Sequence, residues 1–382
     1  MYRNLNKHLL LFADCIISKG YLNLIIFDFT RTNNSSYLPY SYLNFIENCK
    51  KSSLQEIYEK ANFEDLIIID EYIEFTLEQE FGFICDKELV KSFLPLNGVP
   101  NSPEFIDNCI VELSSIDSGY LKKLNSTFDE LMVNSLEIRV DEINFNNLNL
   151  LIEVFKLSII ESISIYIDFY EQEIDKDELV ELLTTNLRVK KMVFCNQVLD
   201  ELFEDSKLIF TRNSLNDLLL KPIPITKVVN ISYHLEAKNI NPYFFKKLYI
   251  DKNGFIHNSK ELREHFGNIR DLINSDDIFK IIESSRFQLL WNTPKNNIQV
   301  CSDCEFSSVC FDVRVPKTSS NNFYFEEECF YNPYIGKTKD DEGYQTLEEC
   351  GVISNENGFS INHEKIAKIN ALLWSEEGVE TE

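Results

Sequence analysis

The first part of the chain alternates apolar runs with short polar breaks, as strands do. Residues 9–17 and 21–29 are apolar, β-branched and aromatic, and residues 18–20 between them predict a tight hairpin connection. Tyr37 and Leu38 predict a short third strand. The chain is therefore expected to begin with a small antiparallel sheet.

Beyond Pro39 the apolar positions change to a helical period. They recur three or four residues apart and predict three helices, the second of which begins with the capping-box pair Ser53 and Glu56. Three strands followed by three helices are the order of a winged-helix-like module, which we assign to residues 1–95.

The middle of the chain, residues 104–238, alternates strand patterns with amphipathic helices at nearly regular intervals. This alternation is typical of βα units around a parallel sheet, so the fold class is predicted as α/β, or α+β for the whole chain. An open sheet and a partial (β/α) barrel give the same pattern. The predicted strands are residues 109–113, 135–140, 163–169, 189–195, 207–211 and 226–232, and the predicted helices are residues 121–131, 148–155 and 177–183.

The last part of the chain, residues 239–370, has weaker periodicity and contains a cluster of thiols. A poor apolar core together with clustered thiols indicates structure that a metal stabilises. The acidic end, residues 371–382, is predicted to be a disordered tail.

Charge narrows the classes of partner. The chain has 62 Asp and Glu against 37 Lys and Arg, a formal net charge of -25. Such a charge repels phosphate backbones and anionic lipids, so neither nucleic acid nor a membrane surface is an expected partner, whereas a basic peptide would be attracted. No stretch approaches the roughly 20 consecutive apolar residues of a membrane helix, and a cytoplasmic location is expected.

The ten cysteines divide into two groups. Clustered thiols in a reducing compartment more often bind metal than form disulfides. Four thiolates complete a closed site for one zinc ion or one 4Fe–4S cluster, and their softness excludes magnesium and calcium. The expected ligands are Cys301, Cys304, Cys310 and Cys329, with Cys350 as an alternative to Cys329. The expected reduced core residues are Cys15, Cys49, Cys85, Cys109 and Cys195.

The residues around the clustered thiols resemble the SPASM domain of radical-SAM peptide-modifying enzymes. The similarity rests on residues 301–314 and 328–334, supported by residues 251–258 and 267–269. More narrowly, the chain resembles the SPASM-domain peptide maturases of grasp-with-spasm systems. This resemblance implies a leader-peptide recognition module, a partial barrel of radical-SAM type, a SPASM-like domain and an ATP-grasp ligase as partner.

Two departures from the family pattern limit what the resemblance implies. A full SPASM domain binds two auxiliary 4Fe–4S clusters, and here Arg314 and Ser259 replace ligands of one of them. Radical-SAM enzymes also carry a CxxxCxxC loop, where this chain has the lone Cys109. One metal centre is therefore expected, and S-adenosylmethionine is not expected as a cofactor.

Two peptide-related functions fit this pattern, beside a zinc-stabilised scaffold with no peptide role. The preferred hypothesis is an accessory factor for maturation of a ribosomally synthesised peptide, which binds the leader by strand addition and works with the ATP-grasp ligase. The metal would then be structural, which favours zinc. The alternative is an enzyme that uses an iron–sulfur cluster for redox or radical chemistry on a peptide. The candidate peptide-binding residues of the preferred hypothesis are Tyr37, Leu38, Ile69, Tyr72 and Ile73.

Overall fold

The chain forms two compact units, and each is discontinuous in sequence. Unit 1 comprises Met1–Pro100, Ile225–Pro242 and Thr293–Glu382, and unit 2 comprises Asn101–Pro224 and Tyr243–Asn292. The three domains expected from the resemblance stay predictions. The computed structural model describes residues 2, 5–31, 35–93, 96, 98, 102–170, 175–203, 207–220, 224–319, 322–356 and 358–374.

The first segment of unit 1 contains four strands, three helices and then a fifth strand with a short helix. β1 pairs with β5, and β2, β3 and β4 form a separate antiparallel sheet in that order. The elements are β1 His8–Leu11, β2 Cys15–Lys19, β3 Leu24–Asp28, β4 Ser35–Leu38, α1 Tyr40–Lys51, α2 Leu54–Lys60, α3 Phe63–Glu78, β5 Gly82–Cys85 and α4 Lys87–Val90.

The predicted hairpin is corrected in one respect. Residues 9–17 do not form one strand, because β1 pairs with the distant β5 whereas β2 pairs with β3. The three predicted helices are confirmed, and so is the capping box. The Ser53 hydroxyl accepts a hydrogen bond from the Glu56 N–H at 3.3 Å, and the Glu56 carboxylate accepts one from the Ser53 N–H at 3.0 Å.

All five residues of β3 are buried, which is unusual for a three-stranded antiparallel sheet. Leu24 and Ile26 belong to the core formed with α1, α2 and α3. Ile25 and Phe27, together with Phe29, pack on the opposite side against Phe306, Val309 and Tyr331. Both faces of this sheet are therefore covered within unit 1.

Unit 2 is built on a mostly parallel sheet, interrupted by a segment that belongs to unit 1. From residue 101 to residue 292 the elements in chain order are β6 Asn108–Leu113, α5 Ser118–Glu130, β7 Ser135–Ile143, α6 Phe145–Phe155, β8 Ser162–Tyr170, α7 Lys176–Thr185, β9 Val189–Phe194, β10 Glu201–Phe203, β11 Leu208–Phe210, α8 Leu215–Leu220, β12 Thr226–Lys227, α9 Ile231–Asn239, β13 Lys247–Ile250, β14 Ile256–His257 and α10 Ser275–Ile282. Of these, β12 and α9 lie in unit 1.

The eight strands of unit 2 follow the order β10-β11-β9-β8-β7-β6-β13-β14, with β10 and β14 antiparallel to their neighbours. Within the described residues β10 and β14 do not pair with each other, so this sheet is open. The predicted alternation of strands and helices is confirmed for β6 to β9. The predicted strand at residues 226–232 is wrong beyond Lys227, because Asn230 caps α9 by accepting hydrogen bonds from the backbone N–H groups of Ser232 and Tyr233.

The last segment of unit 1 consists of short elements. Its strands pair as β16–β17, β18–β19 and β20–β21, and β15 pairs with β12. The elements are 3₁₀ turns at Lys295–Asn297 and Cys301–Asp303, then β15 Cys310–Phe311, β16 Lys317–Ser319, β17 Asn322–Tyr324, β18 Tyr331–Asn332, β19 Lys337–Thr338, α11 Leu347–Cys350, β20 Val352–Asn355, β21 Gly358–Ile361 and α12 His363–Leu373.

The predicted acidic tail begins later than expected, because α12 continues to Leu373. Residues 375–382 of that prediction lie outside the described residues. None of the helices in the described part of the chain is both long enough and apolar enough to cross a membrane.

Candidate metal centre and peptide-binding strand

The four predicted metal ligands all lie in what we call the cysteine segment, residues 293–334 of unit 1. Cys301 begins a 3₁₀ turn, and the Cys304 N–H donates to the Cys301 carbonyl at 3.1 Å. Cys310 begins β15, and Cys329 precedes β18. All four are free thiols that are partly exposed.

Cys301, Cys304 and Cys310 each lie close enough to other thiols of the set for charge on those thiols to affect their pKa. Burial raises the pKa of Cys301 and of Cys304, and it raises the pKa of Cys310 to about 12. Charge on neighbouring cysteines adds to each rise, and Cys329 acts on both Cys301 and Cys310. Nevertheless, among the described residues no three or more His, Cys, Asp or Glu side chains form a group that could hold a metal ion.

Two tyrosines hold the loop that carries Cys304. The hydroxyl of Tyr334 donates to Asp303 at 2.7 Å, and the hydroxyl of Tyr331 donates to Glu305. Burial and the adjacent carboxylate raise the pKa of each tyrosine, so both stay protonated donors. Because the carboxylates flank Cys304 on both sides, these bonds fix the loop against the strand that follows Cys329.

The same loop is bonded to the β2–β3 hairpin. Asn23 donates to the Glu305 carboxylate at 3.1 Å, and the Ser18 hydroxyl donates to the Glu305 carbonyl at 2.6 Å. A Cβ atom on Gly20 would lie 2.5 Å from the Glu305 carboxylate and 2.8 Å from its backbone nitrogen. Only glycine allows the hairpin and the cysteine segment to approach so closely.

Segment 225–242 supports Cys310. The Val228 N–H donates to the Val309 carbonyl at 2.7 Å, and the Tyr233 hydroxyl donates to the Cys310 carbonyl at 2.8 Å. The Lys227 ammonium lies 3.4 Å from the centroid of the Phe306 ring. This short strand and helix thus complete the surroundings of the thiols.

Arg314, which replaces a cysteine of the family pattern, has a structural partner. Its guanidinium donates to the Asp312 carboxylate at 2.8 Å and 3.0 Å, and Lys295 lies 2.5 Å from the same carboxylate. Burial alone would raise the pKa of Asp312, but the bonds and charges of Arg314 and Lys295 outweigh it and lower that pKa. The other departure, Ser259, is fully buried in unit 2.

The backbone is strained at the residue that precedes Cys301. Val300 has φ +69° and ψ −47°, a conformation that a β-branched residue rarely adopts. Such a conformation costs about 1–3 kcal/mol and persists only where the surroundings impose it. It places a strained residue directly before Cys301.

Cys350 lies in different surroundings from the four thiols. It is buried in an apolar cluster with Leu347, Val352 and Ile366. Its thiol donates to the Leu347 carbonyl at 3.2 Å, as expected for a core cysteine.

The five candidate peptide-binding residues are divided between surface and core. Tyr37, on the edge strand β4, is 57% exposed. Leu38, Ile69 and Ile73 are buried in the core with the helices, and Tyr72 is half-buried with its hydroxyl 2.5 Å from that of Ser41. The structure therefore brings Leu38, Ile69, Tyr72 and Ile73 together in one core, whereas Tyr37 lies on the opposite face of the sheet, beside Ile25, and is the one that is largely accessible.

Sequence reasoning missed some contributors to both sites. Asp303 and Glu305 look like ordinary solvated acids in the sequence, and only the nearby tyrosines of residues 331–334 hinted at their partners. On α3, the exposed apolar residues Phe63, Ile67 and Ile68 were not singled out. Their spacing alone does not distinguish an exposed face from a buried one.

Comparison with known proteins gives a limited result. No protein-family model matches the chain, and no curated protein matches it. Among solved structures, the chain is similar to the crystal structure of Streptococcus suis SuiB bound to S-adenosylmethionine, with 9% identity, a TM-score of 0.31, and coverage of 79% of this chain and 94% of that chain.

A second structure of Streptococcus suis SuiB has 10% identity and a TM-score of 0.32, and the match covers 78% of this chain and 94% of that one. TM-scores at this level assign neither a fold family nor a function. What the structure defines is a mixed α/β protein with a mostly parallel central sheet.

Proposed function

We propose that this protein takes part in the maturation of a ribosomally synthesised peptide, binding the precursor's leader by strand addition and working with an ATP-grasp ligase. The observation that carries the proposal is β4, an edge strand whose Tyr37 side chain is 57% exposed. The resemblance of the cysteine segment to grasp-with-spasm maturases supports the same role.

The sheet of unit 1 favours binding at this edge. Its two faces are covered, by the helices on one side and by the cysteine segment on the other. Among the described strands, β4 pairs only with β3. In an antiparallel ladder alternate residues point their N–H and C=O groups away from the partner strand, so β4 retains backbone groups for an added peptide strand.

Leu38, Ile69 and Ile73 would act beneath the binding surface. Being buried, they support the position of β4 rather than contact the peptide. Tyr37 would provide the direct side-chain contact, and exposed tyrosines are common anchors at interfaces.

The second part of the proposal is one structural metal centre on Cys301, Cys304, Cys310 and Cys329. The support is the donor chemistry alone: four soft thiols suit zinc or a 4Fe–4S cluster, whereas within the described residues they do not form a group that could hold a metal ion. Cys304 and Cys329 also pack against the apolar cluster on the outer face of β3, the face that carries Ile25 and Phe27. A metal there would stabilise the sheet that binds the peptide, and we favour zinc for this structural role.

Peptide binding is tested by fluorescence anisotropy with the fluorescein-labelled leader of a candidate precursor peptide from the same genome. Tyr37→Ala should weaken binding about tenfold, as expected for an interface anchor. Ile353→Ala, at an exposed strand position of the same unit, should leave the affinity unchanged. Absence of binding, with or without the ligase, would refute the leader-binding role.

The metal centre is tested by anaerobic purification, elemental analysis and a visible absorption spectrum. One zinc per chain, lost in Cys301→Ser and retained in Cys350→Ala, is the expected result. Iron with inorganic sulfide and a broad visible absorption would favour the redox enzyme instead. A metal-free protein that still binds the leader would remove the metal from the proposal and leave peptide binding intact.

A further inference from the structure

Unit 2 contains a polar cavity that the proposed function does not use. It has a volume of about 490 Å³ and lies on one face of the eight-stranded sheet. Its wall includes four cationic side chains, Arg139, Lys191, Lys247 and Lys260. Such a concentration of positive charge is notable in a chain with a net charge of -25.

Arg139 is neutralised by the protein itself. It is 5% exposed and forms ion pairs with Glu112 at 3.3 Å and Glu137 at 2.6 Å. A buried arginine with two carboxylate partners is a structural group. It leaves no free charge for a ligand.

The three lysines have neutral partners instead. Lys191 donates to the Tyr166 hydroxyl at 3.2 Å, and Lys260 donates to the Leu219 carbonyl at 3.2 Å. The Lys247 ammonium lies 3.5 Å from the centroid of the Tyr243 ring. Within the described part of the chain, none of these three ammonium groups forms an ion pair with a carboxylate.

Lys247 is the most poorly solvated of them. It is 9% exposed, and burial lowers the pKa of its ammonium to about 8, against the opposing effect of Glu261 and Glu137. A buried ammonium without a direct anionic partner is costly. A bound anion would supply the missing partner.

The charge of the cavity indicates the charge of the ligand. Four cations act together with three nearby carboxylates, those of Glu112, Glu137 and Glu261, which leaves an excess of one positive charge. A ligand with one negative charge balances this excess, whereas a dianion would leave the occupied cavity with a net negative charge. A monoanion is therefore the better match.

The rest of the wall is mainly apolar, although Glu137, Thr211, Tyr166 and Tyr243 also line it. Ile110, Val193 and Ile209 project from β6, β9 and β11, and Leu218 and Leu219 of α8 complete this side. A volume of about 300–1,000 Å³ with an apolar wall and a few convergent polar groups is typical of small-molecule sites. An inorganic anion would leave the apolar wall without a partner.

We propose that this cavity binds a small organic monocarboxylate with an apolar body, with its carboxylate on the ammonium groups of Lys191, Lys247 and Lys260. The apolar body packs against Ile110, Val193 and Ile209. The site is independent of leader binding, since every residue named lies in unit 2.

The test is isothermal titration calorimetry on the full chain with phenylacetate, isovalerate, phenylacetamide and inorganic phosphate as probes. Phenylacetate or isovalerate should bind with a dissociation constant of about 1 mM or below, as expected for ligands of this size. The neutral phenylacetamide and the largely dianionic phosphate should bind at least about tenfold more weakly. Equal binding of phenylacetate and phenylacetamide, stronger binding of phosphate, or no binding of either carboxylate would overturn the proposal.

Variants locate the site. Lys191→Gln and Lys247→Met should each weaken phenylacetate binding about tenfold, because each removes a charged hydrogen-bond donor. Lys190→Gln, at the adjacent exposed position of β9, should have no effect. An equal loss in Lys190→Gln would show that binding is non-specific.

A measurement on the unmodified protein covers the case in which a variant does not fold. Phenylacetate affinity should fall as the pH rises from 7 to 9, because the Lys247 ammonium loses its proton near pH 8. The other groups that face Lys247 are Glu137, Glu261, Arg139 and Lys260, together with the ring of Tyr243. An affinity that is constant over this range would contradict a role for Lys247.

Discussion

In the cysteine segment of unit 1 the deepest side chains include charged ones, whereas the face of the unit 2 sheet that carries Val111 and Ile138, opposite the face of Arg139, is apolar. Lys295, Glu305 and Asp312 are at most 3% exposed, and so are Val111 and Ile138 of the sheet. The stability of the buried charged side chains depends on specific partners, because the loss of one partner leaves the other charge buried and unpaired. The aliphatic group depends on volume and contact, which many similar side chains can supply.

The two regions also differ in the length of their strands. Strands of the unit 2 sheet are up to nine residues long and pair in parallel ladders, but strands of the cysteine segment have two or three residues. Short strands provide few backbone bonds, so side-chain bonds such as Tyr334 to Asp303 hold this segment. The two regions should therefore respond differently to substitution, to chelators and to acid.

The largest expected effect tests the buried charges. Asp312→Ala would leave Lys295 buried without its partner, which typically costs about 3–5 kcal/mol. The loss would appear in the free energy of unfolding of the full chain measured with urea. Glu326→Ala breaks the exposed pair with Lys317 and should cost about 0–1 kcal/mol. Similar costs for both variants would erase the contrast between buried and exposed pairs.

A slightly smaller effect is expected in the aliphatic region. Leu148→Ala, at a fully buried position of α6, should lower the free energy of unfolding by about 2–5 kcal/mol. Leu157→Ala, where the side chain is 93% exposed, should change it by less than about 0.5 kcal/mol. The Leu148→Ala loss should be the same with and without a metal chelator, and chelator dependence would argue against separate stabilisation of the two regions.

Acid should act on unit 1 through His234. Burial lowers the pKa of this imidazole to about 4, so the folded protein keeps it neutral while the unfolded chain gains a proton near pH 6.5. The difference between these two pKa values favours the folded protein fully above about pH 6.5. This stabilisation is lost as the pH falls, by about 2 kcal/mol in the free energy of unfolding between pH 7 and pH 5.

Urea unfolding at both pH values measures this contribution. His234→Asn should show a smaller loss of stability on acidification, whereas His265→Asn, at an exposed position of unit 2, should behave as the unmodified protein does. An unchanged pH dependence in His234→Asn would show that other groups carry the acid sensitivity of unit 1.

The smallest effect concerns a contact that is local in sequence. Ser53→Ala removes the capping hydroxyl of α2 and should cost about 1 kcal/mol. The neighbouring Ser52→Ala should change the free energy of unfolding by less than about 0.5 kcal/mol. Thermal unfolding followed by circular dichroism measures both. Equal values would mean that the capping box contributes little to unit 1.

The sequence predicted the regular parts of the fold well. The strands β6 to β9 and the helices between them were expected because buried parallel strands appear as apolar runs at even spacing. The start of α2 was expected because the Ser53–Glu56 pattern is local. The division of residues 9–17 between two strands could not be predicted, since it depends on pairing with Gly82–Cys85, far along the chain.

The candidate sites were only partly predictable. Cysteine spacing indicated a soft-metal site on Cys301, Cys304, Cys310 and Cys329, and that assignment stays a prediction. The partners of Glu305 come from the β2–β3 hairpin and from β18, so no local pattern reveals them. The unit 2 cavity draws its lysines from β9, from β13 and from the loop after β14, and in the sequence each one looks like an ordinary surface residue.

The outer face of β3 has a consequence for synthesis of the chain on the ribosome. Ile25 and Phe27 are translated long before Phe306 and Tyr331, the residues that cover them. At synthesis rates of about 5–20 residues per second this interval lasts about 15–60 seconds. During that time the apolar side chains of Ile25 and Phe27 lack the residues that cover them in the folded unit, and apolar surface exposed in this way favours aggregation. We therefore expect unit 1 to complete its folding only after translation of its last segment.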